Sequence, residues 1–149
     1  MTNAIEVVKA GITANESGDL KKYESMLSDD MVFAGPVPKP LGKHEFVGLQ
    51  TALISAFPDW KFNATDFKED GDKVLAMLQI TGTQTKELKL PMPGLPTIPP
   101  TGKHISLPKE QTTFTVKDGK ITRIETSGVA GGGVGGILAQ LGVPLPPMP

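Results

Sequence analysis

The sequence predicts an α+β domain: a curved, mostly antiparallel sheet of roughly four to six strands wrapped around an N-terminal helical layer and closed by one amphipathic helix. Three observations lead there. Apolar residues recur at helical spacing only before Pro58. From Trp60 onward the apolar period falls to two. The order is helices first, then one helix between strands, then a run of antiparallel strands. That is not βαβ alternation.

Asn3 and Glu6 are spaced as a capping box, and Ile5, Val8 and Ile12 follow at helical spacing until Gly18, a suitable C-terminal stop. Asp19 can cap a short second helix whose face holds Leu20, Tyr23, Met26 and Leu27. Met31 to Ala34 reads as a first strand. The prolines of residues 35–42 then forbid helix and central strand. Phe46, Leu49, Leu53 and Phe57 form one apolar stripe along a helix over 43–57, which Pro58 ends. Trp60, Phe62 and Ala64 alternate with polar residues as a strand. Asp70-Gly71 marks a turn into a longer strand, Lys73 to Thr83. On it Val74, Ala76, Leu78 and Ile80 share one face, and Leu75, Met77, Gln79 and Thr81 the other. Residues 91–102 read as a stiff proline-rich loop, and His104 to Val116 as a strand interrupted at Pro108. Asp118-Gly119 predicts a tight hairpin that sets Val116 opposite Ile121 and Thr112 opposite Glu125. Thr112, Phe114, Val116, Ile121, Arg123, Glu125 and Ser127 then share a face.

Residues 128–149 form a Gly/Pro-rich C-terminal segment. Its run Gly131 to Gly136 spells G-x-G-x-x-G, but a dinucleotide site needs a βαβ unit and an acid about 20 residues on. The run is therefore expected to be a flexible connector. The tail Val143 to Pro149 reads as polyproline-like, packed on its own domain or on a dimer mate.

Composition bounds the function. The 149 residues suit one domain spanning 1–149. Fifteen basic against 16 acidic residues leave a net charge of −1, so no field gathers nucleic acid or an anionic membrane. The absence of Cys excludes disulfides, thiolate nucleophiles and Cys-ligated metals. No apolar run approaches the roughly 18 residues of a membrane helix, and the first segment lacks a signal-peptide pattern; a cytoplasmic protein is expected. His44 and His104 are not at metal-ligand spacing, so no metal site is expected.

Several phrases, in this order, resemble the SnoaL-like polyketide and ester cyclase family of the nuclear-transport-factor-two-like fold. They are Asp29-Asp30-Met31-Val32-Phe33, Gly35-Pro36, Gly42 with Glu45-Phe46, and Ala56-Phe57-Pro58-Asp59. Gly71-Asp72-Lys73-Val74, Thr81-Gly82-Thr83, Pro100-Thr101-Gly102-Lys103, Asp118-Gly119-Lys120-Ile121 and Gln140-Leu141-Gly142 follow. The resemblance implies a cystatin-like, cone-shaped barrel around one hydrophobic cavity, often in a homodimer. It also implies ring closure by an aldol step in which a pocket carboxylate moves the proton, with no metal and no organic cofactor. The sequence departs from the family where its catalytic aspartate belongs. That position falls near Gly133 or Val129, and neither is acidic. The histidine expected after Thr81-Gly82-Thr83 is replaced by Gln84.

Glu125, the only acid after Asp118, is the candidate substitute. The predicted register puts it on the inner face, and the competing reading is a rim glutamate paired with Arg123 or Lys120. Tyr23, Phe33, Phe46, Phe57, Trp60, Met77, Gln79, Thr81, His104, Thr112 and Phe114 are the candidate ligand-binding residues, an apolar set with sparse polar groups. The partner they suit is a small, largely apolar molecule. A homodimer through the outer sheet face is expected, because strand 73–83 is apolar on both sides. The alternative function is a non-catalytic ligand-binding or dimeric interaction module that has lost its acid.

Overall fold

A computed structural model describes residues 4–35, 40–90, 97–129 and 131–143. The expected cap at Asn3, residues 36–39 of the 35–42 proline turn, the first half of the 91–102 loop and the tail from Pro144 onward lie outside the described residues.

Two helices come first, α1 (Ala4–Glu16) and α2 (Leu20–Ser25). Gly18 ends the first at φ +81°, a backbone that a Cβ resists, and the Asp19 carboxylate caps the second by accepting from the Lys22 N–H at 3.2 Å. Strands β1 (Leu27–Ala34) and β2 (Leu41–Gly42) lead into α3 (Lys43–Ala56). Its stripe of Phe46, Leu49 and Leu53 is buried, and Phe57 beyond its end is wholly buried. The remaining strands are β3 (Thr65–Asp70), β4 (Lys73–Leu78), β5 (Thr81–Thr83), β6 (His104–Ser106), β7 (Glu110–Lys117) and β8 (Lys120–Thr126). A last helix, α4 (Gly133–Leu141), follows.

Six strands form one sheet in the order β2-β1-β8-β7-β4-β3, antiparallel except where β1 runs parallel to β8; β5 and β6 make a separate pair. The α+β class and mostly antiparallel sheet are as expected. One face of the sheet packs on α1 and α3, and the core lies between them, with Val8, Leu27, Phe57, Val74 and Ile121 at 1% exposure or less. Burying such side chains stabilises by about 1.5–3 kcal/mol each. No helix among the described residues is long and apolar enough to cross a membrane.

Four sequence expectations change. The alternation from Trp60 to Ala64 is not a strand; regular pairing starts at Thr65, because Asn63 (φ +47°) and Asp66 (φ +56°) leave extended geometry. The 73–83 strand splits at Gln79-Ile80, where the chain turns from pairing with β7 to pairing with β6. The Asp118-Gly119 turn forms with both residues at positive φ, and Val116 does oppose Ile121, but the hairpin register shifts next to the turn. Thr115 opposes Arg123, so Thr122 is the extra residue of a bulge; Thr113 opposes Glu125, and Thr112 opposes Thr126. One residue of slip turns every later side chain of β8 over. Finally, the glycine run is no loose connector. It opens α4, whose Ile137, Leu138 and Leu141 are buried, so packing overrides the weak helix propensity of Gly133, Gly135 and Gly136.

Candidate functional site

The sheet does not close fully on the helices. Between them lies an apolar cavity with about 110 Å³ of space open to the centre of a water-sized sphere. Each wall follows from a periodicity. From α1, Val8, Ile12 and Asn15 point in at spacings of four and three; from α3, Phe46, Leu49, Gln50 and Leu53 do. Strand β7 contributes Glu110, Thr112 and Phe114, alternate residues on one face, and β8 contributes Ile121, Ile124 and Thr126. Trp60, Phe62 and Phe33 complete an aromatic wall: Phe33 stacks on Phe46 with centroids 4.8 Å apart, and Trp60 meets Phe62 edge-on at 5.8 Å.

Of the candidates from sequence, Tyr23, Phe33, Phe46, Trp60, Thr112 and Phe114 line this cavity. Phe57, Met77, Gln79, Thr81 and His104 do not. Phe57 sits behind Trp60 and packs against Gly82, where a Cβ would come within 3.2 Å of its ring. Met77 is outward because Val74, Ala76 and Leu78 take the inner face. The Gln79 backbone N–H bonds to the Phe62 carbonyl, and Thr81, the first residue of β5, accepts through its hydroxyl from Asn63 Nδ2. Exposed His104 pairs through Nδ1 with the Thr83 hydroxyl at 3.0 Å. That hydroxyl donates to Asp59, which also accepts the Thr83 N–H. Desolvation pushes the Asp59 carboxyl up, but these hydrogen bonds and nearby His104 outweigh it and leave the carboxyl below its usual range.

Glu125 is corrected as well. The bulge places it on the outer face, half exposed and hydrogen-bonded to Arg123 Nε, as the rim-glutamate reading has it. The carboxylate at the cavity is Glu110, at the start of β7 and 9% exposed. Its Oε2 accepts the backbone N–H groups of Gly128 at 2.7 Å and Val129 at 3.0 Å. Its Oε1 lies on the Gly132 side, 3.7 Å from where a Cβ on that glycine would stand. The signal was present in the sequence: Glu110 is two residues before Thr112, on the face that period-two alternation assigns to the interior.

Asn15 and Gln50 also escaped the sequence reading, although each falls at helical spacing on an apolar stripe. Their side chains bond to each other, Asn15 Nδ2 donating to Gln50 Oε1 at 3.1 Å. Burial pushes the Tyr23 phenol well above its ordinary 10.0, while a hydrogen bond with Asn15 pulls the other way and loses. Among the described residues, the buried polar side-chain atoms without a hydrogen-bond partner are Asn15 Oδ1, Ser28 Oγ, Trp60 Nε1, Thr112 Oγ1 and Thr126 Oγ1. All but Ser28 belong to residues of the cavity wall.

The sequence profile of the SnoaL-like domain matches residues 8–124. No curated protein matches the chain's sequence. Among solved structures, the chain is similar to IdmH of Streptomyces antibioticus, a proposed polyketide cyclase (TM-score 0.71, 23% identity, covering 95% of this chain and 100% of that one). It is similar to AclR, a proposed hydroxylase of Streptomyces galilaeus (TM-score 0.72, 20% identity, 93% and 95% covered). A SnoaL-like polyketide cyclase of Agrobacterium tumefaciens also aligns (TM-score 0.64, 16% identity, 85% and 91% covered). Identities this low speak for a shared fold, and one fold hosts several chemistries.

Proposed function

The chain belongs to the SnoaL-like domain family, and from that premise we propose that it is a cyclase-like acid–base enzyme for a small, largely apolar molecule, with Glu110 as its proton carrier. The observation that supports this reading is the Glu110 carboxylate, buried at the wall of an apolar cavity and held through one oxygen by two backbone N–H groups. The segment that presents those N–H groups, Gly128 to Val129, begins the stretch where the family resemblance puts an aspartate. In this reading the acid has moved from that loop to the facing strand.

The chemistry asks for a positioned carboxylate and an oxygen-binding donor, and for no metal or organic cofactor. Glu110 Oε1 removes a proton from carbon next to a substrate carbonyl. The electron pair of that C–H bond becomes the enolate, whose oxygen is met by a donor such as Trp60 Nε1–H. The enolate carbon attacks a second carbonyl within the same molecule and closes the ring, and Glu110 returns the proton to the alkoxide so formed. Leu107, Phe114, Ile124 and Ile137 keep bulk water from the enolate. The same reading includes a homodimer through the outer face of β4, supported by Leu75 and Met77, which lie there half-buried.

The test is deuterium uptake from heavy water into the carbon beside the ketone of neutral, cyclisable keto-esters. Glu110→Gln keeps an oxygen that accepts from Gly128 and Val129, so the fold should persist. Its exchange and cyclisation rates should fall by at least about 100-fold. Equal rates in both proteins would remove Glu110 as the proton carrier and leave the binding-module alternative ahead.

A further inference from the structure

We infer that the cavity takes a ligand about one ring in size that is not an anion and carries both a hydroxyl and a carbonyl oxygen. This rests on the cavity being the functional site, as proposed above, but not on Glu110 performing chemistry. Three observations carry it.

The first is size. The cavity offers about 110 Å³. A dry apolar cavity of about 150 Å³ takes up benzene, whereas pockets for drug-sized ligands run to about 300–1,000 Å³. A single ring fits between the Phe33–Phe46 stack and the edge-on Trp60–Phe62 pair; three fused rings need the core to open.

The second is charge. Among the described residues the wall contains no Lys, Arg or His, and Glu110 is its only charge. A ligand carboxylate or phosphate would be buried without a counter-ion and beside a like charge, which is strongly unfavourable. The ligand is therefore not an anion.

The third is the set of orphaned polar atoms. Asn15 and Trp60 are each 2% exposed and Thr112 is 1%, yet Asn15 Oδ1, Trp60 Nε1 and Thr112 Oγ1 have no partner. Native interiors seldom leave such atoms unpaired. Trp60 Nε1 can only donate, so it calls for a ligand acceptor, a carbonyl oxygen. Asn15 Oδ1 can only accept, so it calls for a ligand donor, a hydroxyl. Thr112 can serve either.

The experiment measures binding by calorimetry to the full-length wild-type chain, using para-hydroxyacetophenone, para-methylacetophenone, para-hydroxybenzoate and a hydroxyanthraquinone. The hydroxy ketone should bind at least about tenfold more tightly than each of the other three, the difference one unmade buried hydrogen bond produces. Thr112→Val, which keeps the shape and deletes the hydroxyl, and Trp60→Phe should each weaken it about tenfold, and Thr112→Ser should restore it. Preferred binding of the anthraquinone or of the anion would overturn the inference while leaving the Glu110 reading intact. So would failure of all four probes to bind in a protein that still shows Glu110-dependent exchange. Tight binding of the hydroxy ketone with no Glu110-dependent exchange would sustain the inference and reject the enzymatic reading.

Discussion

At the scale of single residues, the contrast between Glu110 and Glu125 decides the site. Both belong to neighbouring strands, and the hairpin register separates them. One bulge residue, Thr122, turns Glu125 outward to Arg123 and brings Ile124 and Thr126 inward. A bulge is set by local twist and packing that a residue count from the turn does not reveal, so that count assigns Glu125 to the wrong face. Glu110 is legible by its two-residue spacing from Thr112, although Pro108 interrupts the strand just before it. Tyr23 gives a titration to follow, since it is the only tyrosine in the chain. Its phenol has a raised pKa in the folded state, so the unfolded chain releases its proton first. The associated stability is fully present below 10.0 and is lost as pH rises toward the folded-state value. Past pH 10.0, tyrosinate absorbance should appear only together with loss of the folded far-ultraviolet signal. Tyrosinate forming in the intact fold at that pH would show Tyr23 to be solvent-accessible.

At the scale of elements, turns and stops were read well because they are written in few residues. Gly18, Asp19, Pro108 and Asp118-Gly119 act where they were expected, and the turn expected at Asp70-Gly71 forms one residue on, over Gly71-Asp72, with Asp70 still paired to Lys73. What escaped is structure made by long-range packing. Helix α4 forms from a glycine-rich stretch because Gly136 can approach the Gly131 carbonyl, where a Cβ would come within 2.0 Å, and because Leu138 is buried. Gln84, which stands where the family resemblance implies a histidine, does not line the cavity. Wholly buried, its Nε2 shares its two hydrogens among the carbonyls of Lys86, Ile98 and Pro99, and its Oε1 accepts from the N–H and hydroxyl of Thr101. It thereby pins both ends of the proline-rich excursion, where Leu88 also bridges to Ile98. Gln84→Met, similar in volume, leaves these buried groups unpaired and should lower stability by about 2–4 kcal/mol in urea unfolding. Binding in the cavity should change little. A loss below about 0.5 kcal/mol would show that the excursion is held by other contacts.

At the scale of the whole molecule, the α+β class was evident because binary patterning states it directly. The cavity between sheet and helices is implied by the family resemblance and not by patterning, since the same apolar residues fill a solid core or line a cavity. Assembly belongs to this scale. Leu75 and Met77 on the outer face of β4 remain half-buried in the single chain. Light scattering at micromolar concentration should give twice the chain mass, and Met77→Lys should halve it. A wild-type monomer there would contradict the proposed dimer. The central claim, that a carboxylate on β7 does the work expected of the loop that follows β8, is tested most directly by comparing Glu110→Gln with Glu125→Gln. Each is measured for deuterium uptake and ring closure on the same keto-esters. At least about a 100-fold loss is expected in Glu110→Gln and a wild-type rate in Glu125→Gln. A lost rate in Glu125→Gln with full activity in Glu110→Gln would contradict it.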